Sequence, residues 1–449
     1  MSTAPNNNNY IKLSTMMFLQ FFTWGAWFAT LWMVLGKYGA DGPFTSKSYG
    51  TAPIAAIFAP LFLGLVADRF FPSEKVMGAL MLIGGACMLM VPDALESKNY
   101  DLVYLLFLGH MLCYMPTLGL GNNIAFSNLH RDTFPKVRVW GTIGWIAAGL
   151  TAGAQGWSDS LNLFWMAGIA AVALGLFCFC LPNTPAPLKG TPVNLRSLLM
   201  VDAFKLLTRP AYLVFIVCST LICIPLAYYF LNTSGYLANM GFTEPASTMT
   251  LGQMSEIFFM LLIPFFFRKL GVKWMILVGM GAWVLRYLLF AYGADQQIVW
   301  MIFAGILLHG ICYDFFFVTG FMYTDKVAPK AVRGQAQSML VFFTQGIGMY
   351  IGYQVAGEKF VPVAEGSGAL GAEIAAGREV QDLSFWEKLG NMFSVDMPST
   401  VQESTLSTAS ALWKTYWIYP AIMAGIVAVL FFVGFWDKSA DGDSEEAQD

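Results

Sequence analysis

The chain has 449 residues, of which 57% are hydrophobic and only 12% charged, with a mean hydropathy of +0.59. Soluble domains carry about 25% charged residues, so this chain lacks the polar surface needed to cover a globule in water, and lipid must solvate much of it. A net charge of −3, with no basic patch or basic tail, argues against nucleic acid as a partner.

Polar Ser2 to Asn9 run straight into an apolar stretch at 10–36, too long for a cleaved signal and expected to be an uncleaved first helix. Crossing a ~30 Å hydrocarbon core takes about twenty apolar residues, and further spans of that kind follow near 47–70, 74–92, 101–127, 132–156 and 162–181. In the first span Gln20, Trp24 and Trp27 recur at spacings of four and three and are expected on one face. The fourth carries Pro116, Gly119, Asn122 and Asn123, helix-interrupting and polar groups that need a neighbour or a cavity at membrane depth. The fifth opens on KVRVWGTIGW, where Arg138, Thr142 and Trp145 line one stripe of the helix. A guanidinium, a hydroxyl and an indole together can clamp and stack a ring-shaped polar solute. Arg138 also lies near a span end, where snorkelling to phosphate headgroups is an equal reading.

The polar stretch from about Leu181 to Pro210 holds Pro182, Pro185, Pro187 and Pro192 with Lys189, Arg196, Lys205 and Arg209, as a linker would. Spans resume near 211–237, 246–267, 273–294, 297–325, 332–356 and 411–436. The expected organisation is a first six-helix bundle over 1–181, a linker over 182–210 and a second bundle over 211–436. A long loop is expected at 357–410, in which Leu383, Trp386, Leu389 and Phe393 recur at helical spacing, and an acidic tail occupies 437–449. An all-α membrane fold of twelve helices in two halves is the layout of the major facilitator architecture, whose solute site lies at the midplane between the halves. An even number of spans puts both termini on one side. Lys and Arg concentrate in the connections on that side (Arg69, Lys75, Arg131, Lys136, the linker, Arg268, Lys269, Lys273, Lys326, Lys330 and Arg333), which predicts cytoplasmic termini.

Ionisable groups at bilayer depth cost at least ~2.5–3.5 kcal/mol each on insertion scales, so each asks for a role. Glu256 sits mid-span in GQMSEIFFM with no basic residue within a turn or two, and Gln253 shares its face. Apolar surroundings favour the neutral form of a carboxyl, so a group so placed can exchange a proton, the requirement for proton coupling. Helix packing through a partner on another span is the alternative. Arg286 lies in WVLRYLLFAYG and Asp314 in HGICYDFFF, and the two could pair to hold helices together. His309 and Tyr313 are four apart and share a face as candidate cavity residues; Asp314 is rotated by about 100° from Tyr313. Pro225, Tyr228, Tyr229 and Asn232 interrupt the seventh span in a similar way to the fourth. The seven cysteines show no ligand-like spacing, and neither HExxH nor G-x-S-x-G occurs, so no metal, no cofactor and no enzyme activity are expected.

Eight segments in order, FLQFFTWGAWFATL, GLVADRF, YMPTLGLGN, RVWGTIGW, QMSEIFFMLLIPFFF, WVLRYLLFAYG, YDFFFVTG and VRGQAQSM, resemble the nucleoside:proton symporter family of the major facilitator superfamily across nearly the whole chain. The resemblance implies proton-driven nucleoside uptake by alternating access, in a multi-pass protein of a bacterial inner membrane, as a monomer. It implies binding roles for Arg138, Thr142, Gln253 and Glu256 and a latch at Gly64, Asp68 and Arg69; Trp145, Tyr228, His309 and Tyr313 are further binding candidates from their own positions, and Glu256 and Asp314 are the candidates for proton coupling. This sequence departs from the family pattern at Trp145, at Pro225 and Tyr228 where the family has amides, and at His309 and Tyr313. Arg138 followed by Trp145 also resembles the helix-5 pattern of lactose-type permeases, where an indole stacks on a sugar. A sugar or glycoside symporter is therefore the second reading, and a membrane solute sensor without transport is the reading from another class.

Overall fold

The computed structural model describes residues 7–63, 69–130, 133–186, 196, 199–329, 332–378 and 384–436. Among these all regular structure is helical, apart from one isolated bridge between Phe242 and Val395. In chain order the long helices are α1 (Asn8–Lys37), α2 (Gly42–Tyr49 continued by Thr51–Phe62), α3 (Ser73–Glu96), α4 (Tyr100–Asn128), α5 (Phe134–Gln155) and α6 (Asn162–Cys180). After the linker come α7 (Pro210–Asn239), α8 (245–270), α9 (272–295), α10 (Val299–Val327), α11 (333–377) and α12 (Glu403–Gly434). Helices α8 and α9 run on as one rod broken at Gly271, whose φ of 67° only glycine adopts freely.

Among the described residues eight helices are long and apolar enough to cross a membrane, the α8–α9 rod counted as one. The other three are interrupted, as α2 is at Gly50, or richer in glycine and polar residues, as α5 and α11 are. Large apolar side chains such as Phe58, Ile83, Leu105, Leu261 and Val429 are exposed around the outside of the bundle. In water that belt would aggregate; against acyl chains it is the matching surface.

Helix starts are fixed locally. Asp41 accepts from the Phe44 amide at 2.7 Å to begin α2, and Asn99 accepts from Leu102 at 3.2 Å to begin α4. Helices α1 to α6 pack chiefly on one another, and α7 to α12 do the same. The two groups meet along α1–α7, α2–α11 and α5–α8. At the end away from the termini these seams are tight. Trp32 meets Phe360 at 5.3 Å, Tyr49 meets Tyr353 at 5.3 Å, and α5 lies so close to α8 that a Cβ on Gly149 or Gly153 would strike Thr250 or Ser247. We call this end the far face and the end carrying both termini the terminal face.

Two expectations need correction. The loop placed at 357–410 begins late, because α11 stays helical to Gly377. Phe360, Val363, Ser367, Leu370 and Ile374 recur at helical spacing and bury against α12 and its leading turn, a pattern masked by Gly357, Gly366, Gly368, Gly371 and Pro362. The remaining connection does hold a short helix, Phe385–Asn391, started by a capping box between Ser384 and Glu387; Leu383 lies outside the described residues. Secondly, Trp27 does not share a face with Gln20 and Trp24. The helix passes through a 3₁₀ turn at Phe28–Thr30, and Trp27 turns inward to stack on Phe107 at 5.1 Å.

The close α5–α8 approach generates a prediction. Gly149→Val and Gly153→Val should hold the far-face seam apart at a cost of about 1–3 kcal/mol, lowering the thermal midpoint of the purified protein and the transport rate. Wild-type midpoints and rates in both variants would show that the seam is not closed as described.

Candidate functional site

Between the two groups of helices lies a cavity of about 1060 Å³. Its wall includes Arg69, Met200, Gln335, Gln337 and Ser338 at the terminal face, so it opens there, while the aromatic and glycine seams close it at the far face. Halfway in, α5 supplies Arg138, Thr142 and Trp145, one stripe of a single helix as their spacing requires. Helix α8 faces it with Gln253 and Glu256, and α10 adds His309 and Tyr313. Seven of the sequence-derived binding and proton-coupling candidates thus line one space. Glu256 and Gln345 of α11 lie at similar depth, each about 17–18 Å along its helix from one end at 1.5 Å per residue.

The charges in this space are few and opposed. The Arg138 guanidinium lies 4.2 Å over the Phe21 ring, close enough for its charge to act on Glu256 across the cavity. Glu256 is half-buried and, among the described residues, takes no hydrogen bond or ion pair. A carboxylate and a guanidinium that face each other across open space, without touching, leave room for a polar solute to bridge them.

Aromatic rings supply the rest of the wall. Trp145 stands edge-on to Trp24 at 5.4 Å, and Trp24 leans on Tyr114 at 5.5 Å. His309 is 2% exposed and sandwiched between Tyr229 at 5.2 Å and Tyr313 at 5.7 Å, its Nδ1 without a partner among the described residues. Gln20 is held in place by donating to the Thr117 hydroxyl at 3.0 Å, while Tyr114 donates to the Gln20 carbonyl at 2.8 Å.

Other candidates lie elsewhere. Tyr228 is fully buried away from the cavity, its ring 4.9 Å from Tyr416; the α7 residues on the wall are Leu226 and Phe230. Asp314 is also fully buried and off the wall, being one residue, about 100°, around α10 from Tyr313. Its carboxylate oxygens have no hydrogen-bond partner among the described residues, and its charge acts on that of Glu256. The pairing of Asp314 with Arg286 does not occur. Arg286 instead donates Nε to the Gly305 carbonyl at 3.1 Å and stacks 4.4 Å over Tyr229. Arg69 stands at the cavity mouth; Gly64 and Asp68 lie outside the described residues.

Sequence reasoning missed Gln345. It sits in a π-helical stretch of α11, Phe342–Gly348, which turns a lone amide in an apolar run toward the cavity. A second π-helical stretch, Asp314–Val318, follows Tyr313 in α10. Such widened turns concentrate at functional sites, and the sequence signal was the single glutamine in FFTQGIG. Among the described residues no group of three His, Cys, Asp or Glu side chains could hold a metal ion.

A sequence profile described as "Nucleoside H+ symporter" matches residues 8–368. The chain is 38% identical over 437 residues to the Escherichia coli protein named putative nucleoside transporter YegT, covering 94% of this chain and 93% of that one. It is 31% identical over 371 residues to the E. coli nucleoside permease NupG, covering 78% and 88%. A crystal structure of the nucleoside transporter NupG superposes with a TM-score of 0.75 at 26% identity, covering 96% of this chain and all of that one. A cavity closed at one end, walled by an opposed guanidinium and carboxylate and by aromatic rings, therefore sits in a chain that belongs to the nucleoside:proton symporter family.

Proposed function

We infer that this protein imports nucleosides together with protons by alternating access, with Arg138, Thr142, Trp145, Gln253 and Glu256 forming the solute site. The supporting observation is the facing of Arg138 and Glu256 across a cavity at mid-depth, with neither group in an ion pair among the described residues. Ribose hydroxyls suit the carboxylate, the Gln253 amide and the guanidinium, and a flat base suits Trp145 or Tyr313. His309 stiffens Tyr313 by stacking rather than by bonding. The halves 1–181 and 211–436 rock about this site with 182–210 as their tether, and the protein acts as a monomer in a bacterial inner membrane. With both termini in the cytoplasm, as the Lys and Arg distribution argues, the terminal face is the inner one and the structure is open inward.

The proton acts through Glu256. A carboxyl at this depth is costly to hold charged without a partner, so with solute bound it closes protonated, and in the emptied carrier it returns ionised, held by the Arg138 charge that faces it across the cavity. Asp314, buried one position around α10, stands near enough for its charge to influence that step. The site then closes readily with both proton and solute bound or with neither, which couples the two fluxes.

In proteoliposomes with an acidic exterior, labelled uridine or adenosine should accumulate against its gradient. Glu256→Gln should abolish that accumulation while leaving exchange at equal concentrations measurable; undiminished uphill uptake by the variant would sink the assignment. Arg138→Lys, Trp145→Ala and Gln253→Ala should each weaken nucleoside binding roughly 5- to 150-fold, the effect of losing ~1–3 kcal/mol of buried bonding or stacking. Calorimetry on the folded variants reads this directly, and wild-type affinity in all three would remove them from the site. Competition separates the solute classes. Displacement by nucleosides, with ribose and disaccharides inert, means that the base is read; displacement by glycosides alone would favour the sugar reading.

A further inference from the structure

Where the two halves meet at the far face, one carboxyl crosses between them. Glu244 ends the connection from α7 to α8, and its Oε2 accepts from the Ser158 hydroxyl, in the connection from α5 to α6, at 2.5 Å. The same hydroxyl accepts from the Ala246 amide at 3.3 Å, so Ser158 is gripped from both sides of the start of α8. Ser158 is 5% exposed and Glu244 is half-buried. We propose that Glu244 and Ser158 form a proton-binding latch on the far face, in which a neutral Glu244 carboxyl holds the halves together and loss of its proton releases them. The latch rests on the alternating-access reading above, in which this seam must part.

The surroundings favour the neutral acid. The other carboxyl oxygen, Oε1, looks onto Gly156, which offers it no donor side chain. Asp159, next to Ser158, brings a like charge, itself drawn off by Lys37 of α1 at 3.0 Å. Among the described residues the one cation whose charge favours an ionised Glu244 is Arg378 at the end of α11. Its guanidinium is occupied elsewhere, donating to the carbonyls of Gly241 at 2.9 Å, Asp396 at 3.1 Å and Phe242 at 3.4 Å. Asp396 and the Phe385–Asn391 helix, with Glu387 and Lys388, complete the charged groups packed around this corner. Burial, first, and Asp159 raise the Glu244 carboxyl from its ordinary 4.5 to about 7, against the lowering by the Ser158 bond and by Arg378.

The sign of the effect follows from linkage. The closed seam binds the proton more tightly than an open, hydrated one, where the ordinary value returns. Acid therefore favours closure, between about pH 7 and 4.5, and the advantage is lost as pH rises through 7. For these two values the ratio of closed to open far face is roughly 30-fold higher at pH 5.5 than at pH 8. On a membrane whose outer side is acidic, a proton arriving from outside shuts the outer gate behind the solute. This site is separate from Glu256, and both would be loaded from the same side.

Double electron–electron resonance tests the latch on the full chain in nanodiscs. Spin labels at Lys98→Cys and Gln296→Cys, with Cys180→Ser removing the exposed native thiol, report the distance between the halves at the far face. The measurement is made with Glu256→Gln present, so that the cavity carboxyl contributes no pH response. The short-distance population should rise about tenfold or more relative to the long one between pH 8 and pH 5.5. Glu244→Gln, which keeps the Ser158 bond without a titratable proton, should stay short at both values, and Ser158→Ala should lose short-distance population at pH 5.5. An unchanged pH response in Glu244→Gln, or none in the chain that retains Glu244, overturns the latch. Absence of uridine exchange by the labelled protein, with Glu256 restored, would instead count against the transport reading on which it rests.

Discussion

Lipid cannot hydrate a charge, and the arrangement of this molecule follows from that. An ionisable side chain at bilayer depth has to find water, an aromatic face, a backbone carbonyl or an opposite charge inside the protein, or stay uncharged. Arg286 takes a carbonyl and a tyrosine ring. Arg138 takes a phenylalanine ring and the view across the cavity to Glu256. Glu256 keeps only the cavity. The cavity is therefore more than a void between two bundles: it is the compartment that makes a carboxyl tolerable at that depth.

The same constraint explains why so much was legible in the sequence. Charges stand out in apolar runs, so Arg138, Glu256, Arg286 and Asp314 are visible at once, and spacing puts Thr142 and Trp145 on the face of Arg138 and Gln253 on that of Glu256. What spacing cannot supply is where each helix axis lies relative to its neighbours. Tyr228 and Asp314 sit on helices that line the cavity, yet each points away from it: Asp314 is one residue around the helix from Tyr313, and Tyr228 is two residues from both Leu226 and Phe230. A 3₁₀ turn displaces Trp27 from its expected face, and a π-helical stretch turns Gln345 inward; periodicity assumes a regular helix and fails where the backbone departs from one. The long α11 is hidden for a different reason. Glycine and proline signal loops in water, but here glycines allow neighbouring helices to approach, and a helix supported on one side tolerates them.

The asymmetry of the two ends is the functional content of the fold. The far face is closed by rings and by backbones in near contact, with one hydroxyl–carboxyl bond across it. The terminal face is splayed, and its polar side chains, Gln335, Gln337 and Ser338, line the entrance. A carrier needs both kinds of end to be interchangeable, so neither can rest on a large apolar interface; close approach of small residues gives contact that is lost steeply with distance and costs little to re-form.

The length of α11 has a mechanical consequence. From Arg333 to Gly377 it runs unbroken for close to 65 Å at about 1.5 Å per residue, about twice the thickness of the hydrocarbon core. Any tilt that opens one end of the cavity is magnified at its projecting tip: a rotation of about 10° about the middle of a rod of that length moves the end by roughly 6 Å. That tip carries Arg378, which holds the α7–α8 connection by its carbonyls. The helix is thus a lever arm whose short throw is at the cavity and whose long throw is at the far face.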